Sequence, residues 1–236
     1  MSARGLLFGL CIALVVTGCA AEPSSAPLRD PALSRSRFNQ VSCAHCHDVG
    51  DGVGERLLPG ASLQGVLTRT QFWGGAFDSA KSAANECFTH FMRGEPLAQE
   101  PEAERALLRS LTVLSPPSAS PSESFAWTLE RAPQAPAGGD AARGATLYAR
   151  ACVSCHGEAH TGLGRLALAP VLPEDTERTH TAARGYTDET LRQTFAYKIR
   201  LGSYDGLAGT MPPFSLEALS RADVADLVAF LAPVLR

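Results

Sequence analysis

The chain has 236 residues, 45% hydrophobic and 19% charged, with 24 acidic side chains against 21 lysines and arginines and a net charge of −3. Acids and bases are interspersed, which excludes a basic footprint for nucleic acid, and the two lysines, Lys81 and Lys198, are too few for a lysine ring that docks an acidic partner. The length suits two small domains, each near the size at which a protein core alone is marginal.

The first residues read as a lipoprotein signal over residues 1–18. Arg4 supplies the positive start, and Gly5 through Val16 form an apolar run too short to span a bilayer. Val16-Thr17-Gly18-Cys19 then resembles a bacterial lipobox, in which the cysteine is acylated and becomes the new N-terminus. The alternative is a secreted protein cleaved near Ala20-Ala21. Acylation at Cys19 predicts a membrane lipid anchor on the periplasmic side of a bacterial membrane, the outer membrane among the options. Residues 19–29, rich in Pro, Ser and Ala, read as a flexible tether.

Next come two copies of one motif, Cys43-Ala44-His45-Cys46-His47 and Cys152-Val153-Ser154-Cys155-His156. A single C-x-x-C fits half a zinc site or a redox dithiol equally well. Here both copies carry a trailing histidine, and they lie too far apart for one zinc ribbon. C-x-x-C-H is the attachment sequence of a c-type haem: the two thiols add across the vinyl groups, and the histidine becomes the proximal iron ligand. The expectation is two covalently bound haems c, on Cys43 and Cys46 with His47, and on Cys152 and Cys155 with His156. Of the seven cysteines, Cys11 leaves with the signal, Cys19 is acylated and four carry haem, so only Cys87 remains.

Residues 30–114 form the first predicted domain. Pro31 sits at the first position of an entry helix after Asp30, with Phe38 as its aromatic, and Pro101 opens an exit helix bearing Leu107, Leu108 and Leu111. Residues 115–138 return to Pro, Ser and Ala and read as a linker, within which Phe125 and Trp127 pack on one of the domains. In the second domain, 139–236, Asp140 caps a helix running through Gly144 and Tyr148 into Cys152. A further helix runs from Thr187 through Leu191, Phe195 and Ile199 to a stop at Gly202. The last opens on Ser220 and Asp223, a capping box, and carries Val224, Leu227, Val228 and Leu231 as an apolar stripe. No run alternates as a strand, so the fold class is all-α.

Between those two helices lies Gly209-Thr210-Met211-Pro212-Pro213-Phe214. Proline removes a backbone donor and pushes its predecessor into extended geometry, so Met211 sits on a loop, its thioether presented as a sixth ligand to the second iron. A core methionine filling a gap is the other reading.

Residues 139–236 resemble a class I cytochrome c domain: a helix leading into C-x-x-C-H, a distal M-P-P loop, and a final helix of the form L-S-x-x-x-x-x-D-L-x-x-F-L. The resemblance implies that the first and last helices cross with a glycine against an aromatic, Gly144 and Phe230. Residues 30–114 look like a weaker copy, making two tandem domains, although no glycine there matches Gly144. Aligning Leu111 with Leu231 puts Met92 close to the position of Met211. Yet Asn85-Glu86-Cys87, with Gly94 seven residues after the cysteine, resembles the N-x-C-x-x-x-x-x-x-G stretch of thiosulfate dehydrogenases and related sulfur-oxidising dihaem cytochromes, in which the cysteine ligates the catalytic haem. The sixth ligand of the first iron is therefore Cys87 or Met92, with His90 a third candidate.

Two functions follow from these readings. One is a membrane-tethered electron carrier between redox protein partners. The other is an oxidoreductase, thiosulfate dehydrogenase-like or peroxidase-like, with the first haem catalytic and the second as relay; Arg69 and Arg93 would then meet an anionic substrate. The carrier is the preferred reading, because a resemblance of fold does not supply an active site.

Overall fold

The computed structural model describes residues 24–36, 40–119, 126–203 and 209–232. The signal segment, Cys19, Phe38 and Phe125 lie outside the described residues. Among those described, every regular element is helical, and the only β pairing is an isolated bridge between Phe72 and Phe77.

The second half forms as its local signals dictate. Helix α4 (Ala141–Ala151) starts on Asp140, whose carboxylate accepts from the backbone N–H of Ala142 and Arg143, satisfying two of the donors that a helix start leaves open. Helix α7 (Asp188–Leu201) is capped by Thr187 and stopped by Gly202 at φ 56°. Helix α8 (Arg221–Leu231) begins with the Ser220–Asp223 capping box. Short helices α5 (Val153–His156) and α6 (Glu174–Thr179) complete this half. Leu147, Tyr148, Leu191, Phe195, Ile199, Leu227 and Val228 bury together as one core. α4 crosses α8 where Gly144 lets the backbones close, and the rings of Tyr148 and Phe230 lie 5.6 Å apart beside the crossing.

The first half departs from its expected entry helix. Asp30 does cap a turn, accepting from Ala32 N–H at 2.8 Å, but the turn is a 3-10 segment, Pro31–Ser34, that ends when Arg35 takes a left-handed backbone, φ 55°. The expected tether is also packed from Ala26 onward: Ala26–Arg29 is a 3-10 turn and Leu28 is 0% exposed. One leucine in a Pro/Ser/Ala stretch is enough to anchor it against helix α3 (Pro101–Leu114), whose buried Ala103, Leu107 and Leu111 join Leu28 and Leu33 in a second core. Ser110 Oγ fixes the strand of chain further by donating to the Ser24 carbonyl at 2.9 Å. Helix α1 (Cys43–Cys46) and helix α2 (Ala80–Glu86), which runs on into a π turn at Cys87–Phe91, complete the half.

The two halves exchange side chains: Leu57 packs on the core of the second half and Leu166 on the core of the first half. Leu57 N–H donates to the Arg150 carbonyl at 3.0 Å, and Arg150 Nε returns to the Glu55 carbonyl at 2.6 Å. From Trp127 to Pro133 the segment read as a linker is a strap. Trp127 packs on Trp73 of the first half, ring centroids 5.1 Å apart, while Thr128, Glu130 and Pro133 bond to Glu217, Arg200 and Gln193 of the second.

Candidate functional site

Each C-x-x-C-H begins on a single helical turn, which brings cysteines three apart to one side. None of Cys43, Cys46, Cys87, Cys152 and Cys155 is in a disulfide. Burial pushes the thiols up, to about 11 for Cys43 and about 12 for Cys152, so the sulfurs are protonated at neutral pH. Cys46 is raised well above the usual thiol range, first by burial and then by Cys155, Cys87 and Cys43; Leu166, whose N–H donates to the Cys155 carbonyl at 2.9 Å, packs on the same core as Cys46.

The histidines are held identically. His47 Nδ1 lies 2.7 Å from the carbonyl of Ala61, and His156 Nδ1 lies 3.1 Å from that of Pro170, each 14 residues further on. A carbonyl can only accept, so Nδ1 carries the proton and the Nε2 lone pair is left for a metal. Burial lowers both imidazoles, with Arg69 adding to the effect at His47 and Lys198 at His156, which keeps them in the neutral, ligating form. Gly60 lies against the His47 ring: a Cβ there would stand 2.3 Å from Cε1. The 14-residue offset appears in the sequence as Gly60-Ala61-Ser62-Leu63 against Ala169-Pro170-Val171-Leu172, a signal visible only when the two motifs are aligned.

A mainly apolar cavity opens beside the first motif, walled by Cys43, Cys46, His47, Phe88, Leu107 and Leu111. Both sulfur candidates line it and His90 does not. The π turn explains how. In an α-helix residues five apart point about 140° from each other, since each advances 100°. Here Met92 N–H donates to the Cys87 carbonyl at 2.9 Å, an i+5 to i bond that stacks the two on one face. Met92 is 3% exposed, and burial pushes the Cys87 thiol up to about 12. Arg69 and Gln71 are polar members of the wall; Arg69 Nη2 donates to the Ser62 carbonyl at 2.5 Å. The geometry, two thiols and a metal-ready imidazole opening on an apolar hollow, fits a covalently held, flat, apolar metallocycle. Among the described residues no group of three or more His, Cys, Asp or Glu is placed to hold a bare metal ion.

The second motif sits on the core of the second half, with Cys152 and Met211 both packed against it. The Met211 carbonyl accepts from Ser203 N–H at 2.9 Å and Ser203 Oγ at 3.1 Å. Gly202 makes room for it, since a Cβ there would meet that carbonyl oxygen at 2.2 Å. Pro212 and Pro213 reach across and form part of the wall of the first cavity. Arg200, which the sequence reading passed over, holds the loop: it is 0% exposed, and its Nη1 donates to the carbonyls of Phe214, Ser215 and Leu219.

Residues 139–231 match the family model of cytochrome c oxidase, cbb3-type, subunit III. The chain is 33% identical over 95 residues to cytochrome c6 of Picosynechococcus sp., an alignment covering 39% of this chain and 72% of that protein. Among solved structures it is similar to a thiosulfate dehydrogenase from Marichromatium purpuratum at 16% identity and TM-score 0.40, over 88% of this chain and 44% of that one.

Proposed function

Because the chain belongs to the cytochrome c family, we propose that it is an electron carrier holding two covalent haems c, one in each half. Cys43 and Cys46 would attach the first and Cys152 and Cys155 the second, with His47 and His156 as proximal ligands. The observation that carries the reading is the repeated histidine geometry, with Nδ1 bound to a carbonyl 14 residues on in both halves. A bound haem supplies an iron that exchanges one electron between ferrous and ferric states.

The residues of the chain set the conditions for that exchange. The carbonyls of Ala61 and Pro170 fix the imidazole tautomer and orientation, so neither proximal ligand has to reorganise. Phe88, Leu107 and Leu111 would pack on the haem face as apolar walls, while Arg69 and Gln71 offer the polar edge for haem carboxylates. Met211 would be the sixth ligand of the second iron, and Cys87 or Met92 of the first. Methionine at the sixth position of both irons would leave no position for a substrate, which is the arrangement a carrier needs. The second reading, a thiosulfate dehydrogenase-like or peroxidase-like oxidoreductase acting at the first haem, draws on one observation, the presence of Cys87 in the cavity wall.

Cys19 would anchor the protein by lipid on the periplasmic face of a bacterial membrane; no helix among the described residues is long and apolar enough to cross one. Redox proteins are the partners this reading calls for. Pyridine haemochrome quantitation tests the proposal: two acid-stable haems per polypeptide are expected, falling to one in Cys152→Ala/Cys155→Ala. A value of one in the parent would remove the duplication. For the anchor, Cys19→Ser should move the protein from the membrane fraction to the soluble one.

A further inference from the structure

The two sites adjoin through the loop that presents Met211. Its prolines, Pro212 and Pro213, wall the cavity that Met92 and Cys87 also line. A second link runs beside them. Arg93 follows the buried Met92, takes a left-handed backbone at φ 52°, and donates from Nη2 to the carbonyl of Gly209, two residues before Met211.

The backbone beside Arg93 and that of Met211 are each held by their own contacts. On the first side, Gly94 N–H closes the π turn by donating to the Phe88 carbonyl at 2.8 Å, and Gly94 packs so tightly that a Cβ would stand 2.4 Å from the Ser34 carbonyl oxygen. On the other side, Ser203 and Gly202 clasp the Met211 carbonyl. The π turn carries Cys87 and Met92 together, so whichever sulfur serves the first iron, its movement is a movement of the turn that Arg93 ends.

We propose that Arg93 is a positioning residue that couples the two haem sites, tying the turn that supplies the sixth ligand of the first iron to the loop that supplies Met211 to the second. This rests on the reading of two haems with Met211 as a ligand. A hydrogen bond from a guanidinium is stronger than one between neutral groups, and its planar fork loses less freedom on bonding than a lysine ammonium would. A change of ligation at the first iron thereby shifts Met211, and with it the potential of the second, since firm methionine ligation raises a haem potential. Electron occupancy at one site would then bias the other, which two independent cytochrome domains on a flexible linker would not do.

The test uses the full haem-loaded protein. In the reduced state, proton NMR shows an iron-bound methionine methyl far upfield, and its loss in Met211→Ala assigns the signal of the second haem. Arg93→Ala should shift and broaden that signal and lower the potential of the second haem in a potentiometric titration, with Arg93→Lys intermediate. In the parent, substituting the first haem's sulfur ligand, by Cys87→Ala or Met92→Ala, should shift the second haem's potential; with Arg93→Ala in the background that cross-effect should shrink to the part that acts through space between the adjoining sites. A Met211 methyl and second-haem potential unmoved by Arg93→Ala, with two haems still counted, would overturn the coupling while leaving the carrier intact. If Met211→Ala removes none of the upfield methyl signals seen in the parent, the ligand reading is overturned and the coupling with it.

Discussion

Gly144 and Phe230 meet where α4 crosses α8, so closely that a Cβ on Gly144 would stand 2.8 Å from Phe230 Cβ and 2.0 Å from the Asp226 carbonyl oxygen. Replacing a helical glycine by alanine ordinarily gains about 1 kcal/mol in helix propensity. Here the added methyl meets backbone, which cannot rotate aside, and overpacking of this kind costs about 1–3 kcal/mol. Gly144→Ala should therefore lose stability on balance and Gly144→Val more. Thermal unfolding followed by far-UV circular dichroism measures it; a Gly144→Ala protein more stable than the parent would show that the helices separate freely.

Arg200 joins the strap to the Met211 loop. Its Nε lies 3.1 Å from Glu130 Oε2, and Nη1 serves three carbonyls of the stretch that follows the prolines. Removing one partner of a buried ion pair costs about 3–5 kcal/mol, because the remaining charge and carbonyls are left without partners. Arg200→Leu should fall in that range by urea denaturation. Glu130→Gln, which keeps the shape and a hydrogen-bonding oxygen, should cost clearly less. Equal losses from both would mean that the carbonyl bonds contribute nothing.

The strap is also held at Glu217, and this contact is pH-sensitive. Burial alone would raise the carboxyl, but hydrogen bonds from the Thr128 side chain and N–H and from Ser215 outweigh it and hold Glu217 at about 2, below its usual 4.5. A carboxyl depressed in the folded state stabilises above its unfolded value and loses that contribution as the pH falls through the folded one. The strap should loosen between about 4.5 and 2. Trp127, edge-on against Trp73 at the strap's start, reports this by fluorescence, and Glu217→Gln should reduce the acid-side change.

Much of the second half was legible because its signals are local. Asp140, Thr187 and Ser220 cap the helices that follow them, and each cap needs only two or three residues to be recognised. The Met-Pro-Pro stretch announces a loop by the same logic. The first half is harder, because its decisive features are not periodic. Pro31 and Asp30 are sound helix-start residues, yet Arg35 turns left-handed one turn later, and nothing in Ser34-Arg35-Ser36 forbids a helix. The tether reading averaged over Pro, Ser and Ala and so missed that Leu28 alone finds a core. The pairing of Cys87 with Met92 was equally invisible, since a spacing of five fits neither the helix nor the strand template, and only the π turn puts both on one face. Glu130 reads as a solvated charge in a linker until Arg200 and Arg221 close on it.

That pairing makes the last prediction the most discriminating. Both sulfurs line the first cavity, and they would set different potentials: a thiolate places negative charge on the iron and favours the ferric state, while a thioether favours the ferrous. If Cys87 is the ligand, the first haem should titrate well below the second, and Cys87→Ala should raise it, while Met92→Ala acts only as a cavity-forming change that costs about 2–5 kcal/mol of stability. If Met92 is the ligand, the two potentials should lie close together, Met92→Ala should lower the first, and Cys87→Ala should leave it nearly unchanged. Potentiometry on the two variants separates these outcomes, and turnover assays with thiosulfate and with peroxide on the same proteins separate the functions. The carrier predicts no turnover above a monohaem cytochrome control in the parent. Turnover that depends on Cys87 would instead make the first haem a catalytic centre and the second its relay.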